Sequence, residues 1–179
     1  MAITIENYLK EITTLADERN AFSMAWYRKQ VTELGPMAGN IKLTNAKTRP
    51  TYGIMNLFYY SPKYESTLPY YDALPLSIPI EKTKNGFVGI NFHYLPIPLR
   101  IKLFEKMEGF TQEQRIIGWR SVSKIKEIKP CVKRYISANI VTKIMTIKEE
   151  DMRIAVLLPI QKFKKASAPQ VWAESRKQI

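Results

Sequence analysis

His93 is the only histidine in the chain and Cys131 the only cysteine, so these two residues bound the acid–base and covalent chemistry the sequence can support. Catalytic triads, histidine metal clusters and imidazole relays each need a partner of matching chemistry at the right place. His93 stands in Asn91-Phe92-His93-Tyr94, a strand-like aromatic run, where a half-buried structural imidazole is the expected role. Cys131 lies between Pro130 and Val132 at a predicted helix start, where the helix dipole lowers a thiol pKa. A Cys–His pair with His93 is the minor alternative. The carboxylates are scattered apart from Glu149-Glu150-Asp151, which fits a solvated turn better than a metal site. Gly86 and Gly89 serve a hairpin, and no phosphate-cradling glycine loop is visible. The expectation is a protein that is not an enzyme, with no catalytic residue, no metal and no cofactor.

Charge is more informative. The formal net charge is +12, which favours polyanionic company: nucleic acid, an acidic protein surface or anionic lipid. Residues 97–148 hold twelve Lys and Arg against four Glu. Arg115, Arg120, Lys124, Lys126, Lys129, Lys133 and Arg134 are closely spaced through that region. They do not fall on one helical stripe, so the charge spreads over a broad face. Three readings stay open: a solvated surface, a phosphate-contacting face, or a face for an acidic partner protein. The many tyrosines (Tyr59, Tyr60, Tyr64, Tyr70 and Tyr71) are as readily interface residues as base-stackers. Trp26, Tyr59, Tyr60, Tyr70, Tyr71 and Trp172 are the candidate partner-contacting aromatics.

The elements that must position these residues start from residues 52–96. Aromatic and β-branched residues dominate there, and Asn85-Gly86 sits between two apolar runs, the strongest short-range hairpin signal. Pro75 and Pro79 remove backbone donors and suit an edge or bulged strand. Upstream, Ile5, Tyr8, Leu9, Ile12 and Leu15 recur at helical spacing, and Phe22, Trp26, Tyr27, Val31 and Leu34 continue the pattern until Gly35-Pro36. That helix either packs on the core or docks on a neighbouring subunit. Residues 37–51 read as a surface connection. Downstream, Pro98 opens a helix closed by Gly109. Thr111-Gln112-Glu113-Gln114 matches a capping box, and a further helix is expected from Pro130 through Ile140. Residues 143–147 and 152–158 read as a second hairpin.

The expected fold is therefore α+β, with a small antiparallel sheet from about 52–95 and 141–158, flanked by helices at 4–34, 98–108 and 111–140. By domain, 1–35 is an N-terminal helical arm, 36–160 a single core and 161–179 a basic C-terminal tail. The tail carries Phe163, Val171 and Trp172 among its cations. It buries too little apolar surface to order itself and is expected to settle only against a partner, or else to fold back through Trp172 onto its own sheet. One cysteine fits a reducing compartment, and no apolar run reaches membrane-spanning length. The expectation is a protein that is cytosolic when made, with no membrane partner.

The run Leu57-Phe58-Tyr59-Tyr60-Ser61-Pro62-Lys63, continuing as Thr67-Leu68-Pro69-Tyr70-Tyr71-Asp72-Ala73-Leu74-Pro75-Leu76-Ser77-Ile78-Pro79-Ile80, resembles small virion proteins of large contractile-tailed bacteriophages. So do Asn85 to Pro96, Lys129 to Tyr135 and Val171 to Ser175. The resemblance spans most of residues 52–175 and is weak over the first fifty. It implies a non-enzymatic subunit of the phage particle, placed in the neck, tail or baseplate. Such a subunit would contact other virion proteins and copies of itself. The alternative it implies is a DNA-binding module that protects the packaged genome end through the basic 97–148 region.

Overall fold

The computed structural model describes residues 46–178. The predicted helical arm, including Trp26, lies outside the described residues. Eight strands and four helices follow in order. β1 (Ala46–Lys47), β2 (Asn56–Leu57), β3 (Tyr71–Asp72), β4 (Leu76–Thr83) and β5 (Gly86–Asn91) come first. α1 (Ile97–Glu105), α2 (Gln112–Val122), β6 (Val132–Ile136), β7 (Ile144–Thr146), α3 (Met152–Leu157), β8 (Phe163–Lys164) and α4 (Ala168–Lys177) complete the set. Six strands form one sheet in the order β1-β7-β2-β4-β5-β6, and β3 pairs with β8 in a second, two-stranded sheet. All the pairings are antiparallel, and the fold class is α+β.

The β4–β5 hairpin forms where Asn85-Gly86 places it, with Lys84 and Asn85 as its turn between paired Thr83 and Gly86. The reason for the glycine is different from the one expected. Neither Asn85 nor Gly86 takes a positive φ. Instead, a Cβ on Gly86 would stand 1.8 Å from the Tyr135 carbonyl oxygen of β6, so glycine is required by the closeness of the neighbouring strand. Pro79 sits beside a register shift in β4, between Pro79 and Glu81, where a missing backbone donor is tolerated.

Both faces of the sheet are covered. Along a strand successive side chains point to opposite faces, and the buried residues sort accordingly. Ile78 and Ile90 face a large core with Phe92, Leu103, Trp119 and Val156. Phe87 and Tyr135 face a second cluster with Phe58, Tyr60 and Ile144. Edge-to-face rings hold the second cluster together, with Tyr135 centred 5.2 Å from Phe58 and 5.0 Å from Tyr60.

The helix N-termini follow local chemistry. Ile97 starts α1 with proline in its first turn, and Gly109 closes the following turn with φ 85°. Thr111 and Gln114 make the full capping box at α2: the Thr111 hydroxyl accepts from Gln114 N–H and the Gln114 side chain accepts from Thr111 N–H.

Two sequence expectations are corrected and one alternative is resolved. Residues 132–136 are strand β6, not helix, because Pro130 ends a 3-10 turn at Cys131 and the chain leaves it extended at Val132. Val132 then pairs with Ile90 and Tyr135 with Phe87, where branched and aromatic side chains pack well. Residues 152–157 are helix α3, not the second arm of a hairpin. Glu149–Asp151 form a 3-10 turn that feeds it, and Met152, Ala155 and Val156 are buried at helical spacing against the core, beside α1. Strand β7 pairs with β1 and β2 instead. Finally, of the two outcomes expected for the C-terminal segment, residues 161–177 take the folded-back one. β8 pairs with β3, Val171 of α4 is fully buried, and the Trp172 indole N–H donates to the His93 carbonyl at 2.9 Å. The reason is a set of polar anchors, described next, that add to the modest apolar burial.

Candidate functional site

Asp72 and His93 form a buried pair, Nδ1 to Oδ2 2.7 Å, with both side chains essentially inaccessible. The sheet brings them together across 21 residues: β3 carries Asp72, and a 3-10 turn at Phe92–Tyr94 follows β5. Asn91 fixes that turn, its side-chain oxygen accepting from His93 N–H at 3.0 Å while its amide donates to Asp72 at 3.0 Å. Asp72 also accepts from the backbone N–H groups of Leu74 (3.0 Å) and Lys162 (3.2 Å). Burial alone would raise the Asp72 carboxyl pKa, but His93 and these hydrogen bonds hold it below its ordinary value. Burial pushes His93 down against the pull of Asp72. Asp72 is thus a carboxylate, and His93 a neutral imidazole that donates from Nδ1.

The pair closes around the C-terminal segment. Arg100, fully buried in α1, donates to the carbonyls of Leu95 (2.7 Å) and His93 (3.3 Å) and to the Gln161 side chain (3.2 Å). Trp172 lies under the same guanidinium, 5.8 Å from its ring centre. Chemically the pair is an orienting device. His93 Nε2, the atom a catalytic dyad aims at its nucleophile, has no hydrogen-bond partner among the described residues. The Cys131 thiol is fully buried, and burial pushes its pKa up to about 12. That reverses the activation expected of a helix start, because Cys131 ends a 3-10 turn inside the core. No group of three or more His, Cys, Asp or Glu that could hold a metal ion occurs among the described residues.

Beside this knot lies an open cleft of about 270 Å³ between the 61–69 loop and β6. Its wall includes Tyr60, Tyr70, Tyr71 and Tyr94, with Tyr64 at the loop and Lys63 and Lys133 supplying charge. Lys133 Nζ stands 4.0 Å from the centre of the Tyr94 ring, a cation–π contact. Burial lowers its pKa, and no carboxylate pairs with it among the described residues.

The seven basic residues singled out in the sequence divide between unlike environments. Arg115 is buried and spends its charge on Glu149. Arg120 is exposed at the end of α2 and donates to the Ile80 carbonyl at 2.7 Å. Lys124, Lys126 and Lys129 are exposed where the chain leaves α2. Lys133 and Arg134 are neighbours in β6, so their side chains leave opposite faces of the sheet. Lys133 lies over Tyr94 in the tyrosine cleft, and Arg134, which also lines that cleft, donates to Asn85 at the hairpin turn at 3.1 Å. Among the aromatics, Tyr59 is 36% exposed and receives Lys162 Nζ on its hydroxyl at 2.6 Å. Tyr60 is buried and accepts from Ile136 N–H at 3.1 Å, and Tyr71 donates to Glu65 at 2.6 Å. Tyr70 is half-buried, its ring 6.3 Å from that of Tyr94. Trp172 faces its own domain.

The sequence reading did not single out Asp72, Arg100, Lys63 or Tyr94 as site residues. Arg100 left a signal: it is the one cation in the buried row Ile97, Arg100, Ile101 and Phe104 of α1. Asp72 left none, since no local period links it to His93.

Fold and surface together define a small basic α+β protein whose buried Asp72–His93 pair braces its own chain and whose exposed Lys124, Lys126 and Lys129 meet no carboxylate among the described residues. The chain belongs to a bacteriophage family, the Phage T4 terminal DNA protecting protein family, whose model matches residues 4–175. No curated protein and no solved structure matches it. No helix among the described residues is long and apolar enough to cross a membrane.

Proposed function

We infer that this protein binds the ends of its phage's linear DNA and shields them from exonucleases, as a component of the virion. The family description names terminal DNA protection. The observation that carries the reading onto this chain is a set of cations held without carboxylate partners. Lys124, Lys126 and Lys129 are exposed on consecutive turns after α2, and none is ion-paired among the described residues. By contrast, Arg115, Arg153 and Lys177 all meet carboxylates. Unpaired cations are free to displace the counterions of a phosphate backbone, a strong and salt-dependent source of affinity. A role confined to neck, tail or baseplate packing gains no support from the family description, and the DNA-end role takes precedence over it. Other virion proteins remain the natural neighbours of a protein bound at a packaged end.

The test is exonuclease digestion of linear duplex DNA with and without the purified full chain, with closed circular DNA as the binding competitor. Linear DNA should survive at saturating protein, and circular DNA should compete poorly. In parallel, replacing Lys124, Lys126 and Lys129 by Gln should flatten the dependence of log affinity on log salt by about 0.9 for each lost phosphate contact. Digestion at an unchanged rate under saturating protein overturns the reading.

A further inference from the structure

We propose that the tyrosine-lined cleft between the 61–69 loop and β6 seats a 5′-phosphorylated terminal nucleotide of DNA. The proposal rests on the end-binding reading and narrows it to the feature by which an end differs from the interior of a duplex. At about 270 Å³ the cleft is slightly smaller than the roughly 300–1,000 Å³ pockets that enclose drug-sized ligands. It therefore suits one nucleotide and not a stack of base pairs. Its lining joins the two chemistries a nucleotide presents. Tyr64 offers an exposed ring (63% accessible), with Tyr70 and Tyr71 half-exposed farther along the same wall. Tyrosine rings stack on any base without reading its sequence.

Lys63, Lys133 and Arg134 line the cleft against the single carboxylate of Asp72, so its net charge is positive. Lys133 is held over Tyr94, and Lys63 stands 5.4 Å from the centre of the Tyr64 ring. Neither meets a carboxylate among the described residues. The two acids nearby are already engaged. Asp72 lines the cleft but accepts from His93, Asn91 and two backbone amides. Glu65 accepts from Tyr71 at 2.6 Å and from Ser61 at 3.3 Å. An interior phosphodiester carries one negative charge, whereas a terminal monoester carries about −1.5 to −2 near pH 7. Three cations against one carboxylate in one small cleft thus select a phosphorylated terminus over both a hydroxyl terminus and interior backbone. The loop that bears Lys63 and Tyr64 is tied in place: Lys165 Nζ donates to the carbonyls of Glu65 and Leu68, the latter at 3.0 Å.

The experiment compares the full chain's affinity for fluorescent duplexes that carry a short 5′ overhang ending in either a phosphate or a hydroxyl. Wild type should prefer the phosphate by about tenfold or more, as expected for charge-assisted contacts. Lys133→Gln and Lys63→Gln should each erase most of that preference, and Tyr64→Ala should weaken both ends alike. Lys63 and Tyr64 are exposed, so their variants keep the test open even if Lys133→Gln disturbs packing on Tyr94. Equal wild-type affinity for the two termini overturns the cleft assignment, as does a preference that survives both lysine variants. If ends are protected in those cases, the end-binding reading stands without the cleft. If wild type neither protects ends nor distinguishes linear from closed DNA, both fall together.

Discussion

Replacing Asp72 with alanine removes the acceptor on which four donors converge: His93 Nδ1, Asn91 Nδ2, and the backbone N–H groups of Leu74 and Lys162. All lie in or beside the core, where water cannot readily replace the lost oxygens. Truncating one partner of a buried ionic or hydrogen-bonded pair costs about 3–5 kcal/mol. Individual hydrogen bonds to a charged group, worth about 1.5–3 kcal/mol each, overlap within that figure and do not add. For a domain between the small and large size classes, 1 kcal/mol moves Tm by about 3–4 °C. Asp72→Ala should therefore melt about 9–20 °C below wild type, read by circular dichroism at pH 7. Asp72→Asn is the sharper variant. Its amide oxygen can still accept from Leu74 and Lys162, but its NH₂ then faces Nδ1 of His93 and the Asn91 amide. His93 can move its proton to Nε2 and turn Nδ1 into an acceptor, which relieves one of the two conflicts. Asn should consequently cost about half as much as Ala. A fall of less than about 3 °C for Asp72→Ala would refute the claim that this carboxylate holds the C-terminal segment to the sheet.

Acid should erode stability in two stages. Burial holds the His93 pKa below its ordinary 6.5, so below pH 6.5 the unfolded chain takes up a proton that the folded one refuses. Stability then drops by up to about 1.4 kcal/mol per pH unit until the folded pKa is reached. Asp72 is held below 3.8 and adds its own loss as pH falls through that lower range. Denaturant midpoints measured from pH 7 to pH 3 report both stages, and His93→Gln should remove the first. Gly86→Ala drives a methyl into the Tyr135 carbonyl and should cost about 1–3 kcal/mol as an overpacked contact. Gly109→Ala meets no atom within 4 Å but must hold a φ of 85°, and should cost about 1–2 kcal/mol from backbone strain alone. Truncating the chain after Ala166, which removes residues 167–179, exposes the Val171 pocket and strips Trp172 from the His93 carbonyl. It should lower Tm by several degrees, whereas an unchanged Tm would mean the helix is only loosely attached.

Where local chemistry dictates local shape, the sequence was a sufficient guide. Thr111 and Gln114 make their capping box because both partners lie within one turn, and the β4–β5 hairpin forms because two strand-like apolar runs lie on either side of a short polar break at Lys84-Asn85. Legibility ends where tertiary packing decides. Val132 to Ile136 carry apolar spacing that suits a helix as well as a strand, and only the adjacent edge of β5 settles the choice. Met152 to Leu157 are short and apolar, and the acidic turn before them feeds a helix in place of closing a hairpin. The C-terminal segment looked too polar to order itself because its anchors are not its own: Asp72, His93 and Arg100 lie between 61 and 90 residues away from the groups they hold. The basic residues were recognised as a set, but strand alternation that sends Lys133 and Arg134 to opposite faces became visible only once β6 was known to be a strand.

Strand order carries a kinetic consequence. β1 and β2 are joined by residues 48–55 alone, yet β7, almost ninety residues beyond β2, lies between them. Neighbouring strands find each other first, since closing a short loop costs little entropy. A refolding chain that zips β1 directly onto β2 has shut the slot into which β7 must slide, and has to unzip before it can proceed. Each of these ladders is only two residue pairs long, which keeps such an error cheap to undo. The shortness of those strands thus keeps a topology with an inserted strand from becoming a trap.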